Sequence, residues 1–151
     1  MGDSNELAGL IVEQSPDAVI FASTDGVIQV WNGAAAEMFG FKASEAIGKD
    51  LNIIIPEQFQ ETHWKGFDRA IEAGETKYKG RALPTKALKA GGETFYVELS
   101  FAIIKDASGK PIGALAHARD INERFEQDRA NRRHLRDLEA EVKTLREASA
   151  S

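Results

Sequence analysis

The sequence predicts an α+β fold: a five-stranded antiparallel sheet with short helices on one side, extended by a C-terminal amphipathic helix. Three observations predict it. Two apolar runs, AVIFAS and VIQVWN, flank Thr24-Asp25-Gly26, and an Asp-Gly turn between such runs is the strongest local signal for a β-hairpin. Three more strand-like runs follow one another late in the chain, after a stretch of helical patterning. The order β-β, short helices, β-β-β places the helices on one side of a single antiparallel sheet. The tail is densely charged and carries apolar residues at helical spacing.

The elements follow in chain order. Asn5 to Gln14 holds Leu7, Leu10, Ile11 and Val12, a short amphipathic helix that Ser15-Pro16-Asp17 ends. The hairpin follows. GAAAEMFGF reads as a short helix with Asn32 as its N-cap, and KASEAIG as a further turn with Ser44 placed to cap. KDLNIIIPEQ is an irregular link ending at Pro56. FQETHWKGFDRAIEAGE is an amphipathic helix that stops near Gly74. TKYKGRALPTKALKA, ETFYVELSFAIIKD and KPIGALAHARD read as strands, with turns at Gly91-Gly92 and Asp106-Ala107-Ser108-Gly109. Asp120-Ile121-Asn122-Glu123 has the form of a capping box opening the last helix. The expected organisation is an N-terminal helix over residues 1–14, an α+β domain over 15–120 and a C-terminal helix, a short coiled coil, over 121–151.

Composition narrows the function. The chain of 151 residues is 42% hydrophobic and 28% charged, as for a globular protein. No run of 18 apolar residues is present, so no transmembrane helix and no membrane partner are expected. The acidic start MGDSNELAGL lacks the basic and apolar regions of a signal peptide, so a cytoplasmic location is expected. With no cysteine, disulfides, iron–sulfur ligation and a thiol nucleophile are excluded. The net charge of −5 argues against a nucleic-acid partner. No nucleophile–base pair, phosphate-cradling glycine loop or paired carboxylates appear at useful spacing, so the chain is not expected to be an enzyme.

From residue 121 onward, seven Lys/Arg balance seven Asp/Glu, so the net charge of −5 belongs to residues 1–120. In that tail Leu135, Leu138, Val142 and Leu145 are spaced three, four, three, the a/d pattern of a coiled coil. The pattern lasts about two heptads. Continued backward, its seam meets Asn131, Asp128 and Arg124, which are polar. The reading is a short parallel coil joining two copies, a homodimer, against the alternative of a solvated helix.

One histidine stands out. Phe67, Ala70 and Ile71 follow His63 at four, seven and eight residues, which puts the imidazole on the apolar stripe of its helix. His117 falls on the strand face opposite Ala114, Ala116 and Ala118 and reads as structural. His134 lies in the tail with no kinase sequence after it.

The run AVIFASTDGVIQVWNGAAAEMFGFKASEAIGKDL, the Gly91-Gly92-Glu93-Thr94-Phe95 turn and the closing GALAHARDINER together resemble a PAS domain with its PAC segment, over about residues 5–125. The resemblance implies a sensor and dimerisation module that holds haem, flavin, a small metabolite or nothing. The flavin–cysteine and coumarin–cysteine photoreceptors of the family need a cysteine, which is absent here. DLNIIIPEQFQETH runs without a gap against the haem-binding PAS domains of FixL-type oxygen-sensor kinases. That similarity implies a b-type haem with His63 as the iron ligand, Arg69 beside a propionate, and Leu99 and Phe101 on the gas side. It also marks a departure. The family's distal arginine falls on Leu83, with Arg81 two residues away on the same strand face, about 6.6 Å along it, and Tyr78 as a substitute donor. The expected function is gas or redox sensing, passed through a dimeric C-terminal helix to a separate kinase or other effector. The alternative is a PAS dimerisation or protein-interaction module that binds another small molecule or no cofactor.

Overall fold

The computed structural model describes residues 2–77 and 81–150. The element order is α1 (Gly2–Gln14), β1 (Ala18–Ser23), β2 (Ile28–Trp31), α2 (Gly33–Phe39), α3 (Ala43–Ala46), a 3-10 turn (Leu51–Ile54), α4 (Glu57–Ala73), β3 (Leu83–Leu88), β4 (Thr94–Lys105), β5 (Pro111–Asp120) and α5 (Asn122–Ala150). The five strands form one antiparallel sheet in the order β2-β1-β5-β4-β3. The two hairpin strands and the three late strands therefore join through β1 and β5. The chain divides into two compact units, residues 1–120 and 121–151.

Strand alternation decides which residues enter the core. Leu83 lies opposite Leu99, Leu99 opposite Ala118, and Ala118 opposite Ala18. The neighbouring row runs from Phe101 to Ala116, Ile20 and Trp31. Those rows share one face of the sheet. Ala18, Ile20, Ile28, Trp31, Phe95, Val97 and Ala118 on that face join Ala35, Phe39 and Ala46 of α2 and α3 in a single buried cluster. Aromatic packing within it is edge-on or tilted. The Phe39 ring is 5.5 Å from Phe95 and 5.6 Å from Trp31. Trp31 is core, and its indole N–H donates to the Phe41 carbonyl at 2.9 Å.

Asn32 does more than cap α2. Its Oδ1 accepts from the Ala35 N–H at 3.0 Å and from the Val19 N–H at 2.9 Å. Its Nδ2 donates to the carbonyls of Val12 at 2.8 Å and Asp17 at 3.0 Å. All four capacities of a fully buried amide are used, and they tie the end of α1, the entry to β1 and the start of α2 to one point.

Several local expectations are corrected. The cap of α3 is not Ser44: Lys42 precedes the helix, and its N–H donates to Glu45 Oε1 at 2.9 Å. The carboxylate reaches back to the exposed N–H, which leaves the hydroxyl no capping role. The link before Pro56 is partly ordered as the 3-10 turn, because Asp50 Oδ1 accepts from the Asn52 N–H at 2.8 Å. The strand expected over residues 76–90 is, among the described residues, only Leu83–Leu88. Its pairing with β4 runs from Leu83↔Leu99 to Leu88↔Thr94. The last helix begins at Asn122. The hairpin, α4 up to a left-handed Gly74, and both late turns stand as read.

Candidate functional site

α4 presents its inner side through Phe67, which is buried, and through His63 and Trp64, which are half-buried. The helix lies against β5. Two glycines fit against it, one beside its middle and one at its C-terminal end. A Cβ on Gly26, in the β1–β2 turn at φ +80°, would overlap the six-membered ring of Trp64. Gly74, at φ +73°, closes the helix beside Lys105 and Pro111. Trp64 also donates its indole N–H to Asn52 Oδ1 at 2.7 Å, which pins α4 to the 3-10 turn. Neither Gly26 nor Asn52 stands out in the sequence for this role. The Asp-Gly pair signals a turn and carries no sign of the ring that rests on it.

His63 sits within this frame. Its ring lies 4.9 Å from Trp64, edge-on, and 5.9 Å from Phe67. Its Nδ1 is buried and makes no hydrogen bond, alone in this among the side chains of the described residues. Burial holds the imidazole pKa below its ordinary 6.5, against the opposing pull of Asp68. At neutral pH the ring is therefore uncharged, with an unused nitrogen in apolar surroundings. That is the state in which imidazole ligates a metal. Among the described residues no cluster of three or more His, Asp or Glu side chains is placed to hold a metal ion. A single histidine suits an iron that arrives in a macrocycle supplying four nitrogens of its own.

The remaining sequence-derived residues divide into two groups. Leu83, Leu99 and Phe101 come together: Leu83 faces Leu99 across the β3–β4 pair, and Phe101 follows on the same sheet face. All three are half-buried, as are Ala114 and Ala116 on the adjoining strand, whereas Val97 and Ala118 are fully buried. The inner face is thus sealed around Val97 and Ala118 and less tightly covered around Leu83, Leu99, Phe101, Ala114 and Ala116. Arg69 is not brought into this group. It is exposed, and six residues beyond His63 it lies about 120° round the helix. Arg81 lies before β3 and not in it, so the shared-face argument for it does not hold. Tyr78 lies outside the described residues. His117 is exposed on the outer face, opposite Val19 and Ser100.

Comparison with known proteins gives a consistent setting. Residues 12–126 match the family described as PAS fold. An uncharacterized protein of Azorhizobium caulinodans is 34% identical over 121 residues, covering 80% of this chain and 16% of that protein. The sensor protein FixL of Bradyrhizobium diazoefficiens is 29% identical over 140 residues, covering 93% of this chain and 26% of FixL. The chain thus spans about a quarter or less of the length of these relatives. Among solved structures, the PAS domain of a protein from Colwellia psychrerythraea superposes with a TM-score of 0.70 at 21% identity, over 80% of this chain and 99% of that one. That likeness concerns the fold.

Proposed function

The chain belongs to the PAS-fold family, and from that premise we propose that it is a sensory domain that binds b-type haem through His63 and reports on a gas or on redox state. The observation that carries the reading is the orphaned, buried Nδ1 of a neutral His63 on the apolar side of α4. Similarity to the FixL sensor supports it. Haem, when bound, supplies an iron that takes up small diatomic ligands or changes oxidation state. The rest is done by the chain. His63 holds the macrocycle from α4, and Trp64, fixed by Asn52 and Gly26, sets the angle of that helix. Leu83, Leu99 and Phe101 exclude water and offer no hydrogen-bond donor, so their own contribution to discrimination among gases is steric.

β5 carries the inner-face alanines and ends at Asp120, immediately before α5. A change in packing against that face therefore reaches the root of the signalling helix. We infer that α5 pairs with a second copy, making the domain a homodimer that acts on a separate kinase or another effector, in the cytoplasm. Among the described residues no helix is long and apolar enough to cross a membrane.

A second reading has its own observation. Leu51, Ile53 and Ile54 pack with Leu99 and Ala116 against the core, which narrows the space for a flat macrocycle. Under that reading the domain holds a smaller ligand, or none, and His63 is structural. Reconstitution with hemin separates the two. A sharp Soret band at one haem per chain, lost in His63→Ala with the fold intact by circular dichroism, is the expected result. A band that His63→Ala leaves unchanged, or none at all, overturns the haem reading.

A further inference from the structure

We propose that Asn32 and Gly33 form a deamidation site that α1 keeps closed, so that release of α1 is followed by a covalent change that prevents its return.

The chemistry is built into the pair. The chain holds five asparagines, and Asn32 alone is followed by glycine. A residue with no side chain leaves its backbone nitrogen least hindered. The nitrogen of Gly33 loses its proton and bonds to the side-chain carbonyl carbon of Asn32, and Nδ2 leaves as ammonia. Water then opens the cyclic imide at either carbonyl. The product at position 32 is aspartate or isoaspartate, and solvent is the only co-reactant. Gly33 is the first residue of α2, where an N–H has no intrahelical acceptor, so its helix does not hold the nucleophile back.

The folded chain blocks the reaction at both residues. Oδ1 of Asn32 accepts from the Val19 and Ala35 N–H groups, and Nδ2 donates to the Val12 and Asp17 carbonyls. An amide held on four sides does not turn its carbon toward Gly33. Asn32 is 1% exposed, so water is also kept from it. Part of this block belongs to α1. Val12 lies in its last turn. Glu13 lies over Gly33, with its carbonyl oxygen and Oε1 at 3.4 and 3.3 Å from the place a Cβ would take. The end of α1 therefore covers the amide and the nucleophile together.

That cover is lightly fastened. Leu7, Leu10 and Ile11 are exposed, and among the described side chains of α1 Val12 is the one that is not. A helix held by one half-buried side chain detaches at a fraction of the cost of unfolding the sheet. Its release removes one acceptor from Nδ2 and uncovers Gly33. The product then keeps α1 away. A carboxylate has no donor for the Val12 and Asp17 carbonyls and sets negative charge against them. Isoaspartate also adds a carbon to the backbone just before α2. An opening that is reversible in the amide chain becomes permanent in the acid.

Incubation of the intact chain at mildly alkaline pH, followed by peptide mapping in a mass spectrometer, reads the amide-to-acid change at Asn32. Asn52, followed by isoleucine, is the internal comparison. Val12→Asp removes the anchor of α1. Gly9→Pro breaks the helix at a position that touches nothing, and it decides the matter if Val12→Asp loses its near-ultraviolet aromatic signal. Deamidation at Asn32 is expected to run about ten-fold faster in these variants than in the parent, with that signal unchanged. Equal rates in parent and variants overturn the proposal. So does a rate that rises only as the aromatic signal is lost, because global unfolding would then be the gate. In strong denaturant Gly33→Ala should slow the reaction, and an undiminished rate there would overturn the role of the glycine. The separated acid form should exchange its α1 amide hydrogens faster than the amide form. Equal protection would show that α1 returns, and would overturn the permanence.

Discussion

At the scale of single residues, His63 shows how position on a helix becomes chemistry. Its place on the apolar stripe of α4 lowers its pKa, and the lowered pKa keeps an unprotonated nitrogen available at neutral pH. The same shift links stability to pH. Below 6.5 the unfolded chain takes up a proton at His63 that the folded chain resists, so the unfolded state binds more protons in that window. Stability is expected to be full above pH 6.5 and to fall as the pH drops below it. Urea midpoints at pH 7.5 and 5.5 test this, and His63→Phe should make them more nearly equal. A fall of the same size in the variant would assign the effect to other groups. His63 was legible in the sequence because helical periodicity reports which side chains face inward. The support around it was not. Trp64 and Asn52 are twelve residues apart, and Gly26 is remote from both, so their meeting is a property of the tertiary fold.

At the scale of elements, glycine and asparagine positions set the fold more sharply than the strands do. Asn32→Ala would remove the side-chain partner of two backbone N–H groups and of two carbonyls at the junction of α1, β1 and α2. A loss of about 3 kcal/mol in urea unfolding is expected. Asn32→Asp should also destabilise, because it keeps the acceptor yet sets a carboxylate oxygen against the Val12 and Asp17 carbonyls. Gly26→Ala meets two obstacles together, a positive φ and the Trp64 ring. It is expected to lower stability and shift the tryptophan emission maximum as α4 is displaced. An unchanged spectrum would mean that Trp64 does not rest on that turn in solution. The hairpin strands were readable because apolar runs bounded by turn residues are a local signal, whereas the bounds of β3 were not. The Asp-Gly hairpin and the capping asparagine were readable because their chemistry is local. The failures fall where competition was close. Glu45 rather than a hydroxyl satisfies the start of α3, and a stretch rich in isoleucine folds as a 3-10 turn once Asp50 caps it.

At the scale of the whole molecule, the two compact units differ in what holds them together. Residues 1–120 share a buried core. α5 has 29 residues and a seam of only two apolar heptads, so an isolated α5 is marginal in water. Under the proposed pairing of α5, dilution of the chain is expected to reduce ellipticity at 222 nm as α5 frays, with the near-ultraviolet signal of the aromatic core unchanged. Loss of both signals together would show that the sheet domain also depends on the partner.

The indole of Trp64, 4.9 Å from His63 and hydrogen-bonded at its far edge, gives the molecule a built-in optical gauge. The chain holds only one other tryptophan, Trp31, enclosed in the core. A strongly absorbing ring seated on His63 would darken Trp64 emission by energy transfer, and Trp64→Phe leaves Trp31 to calibrate what remains. Occupancy of the site can thus be followed by titration in unlabelled protein.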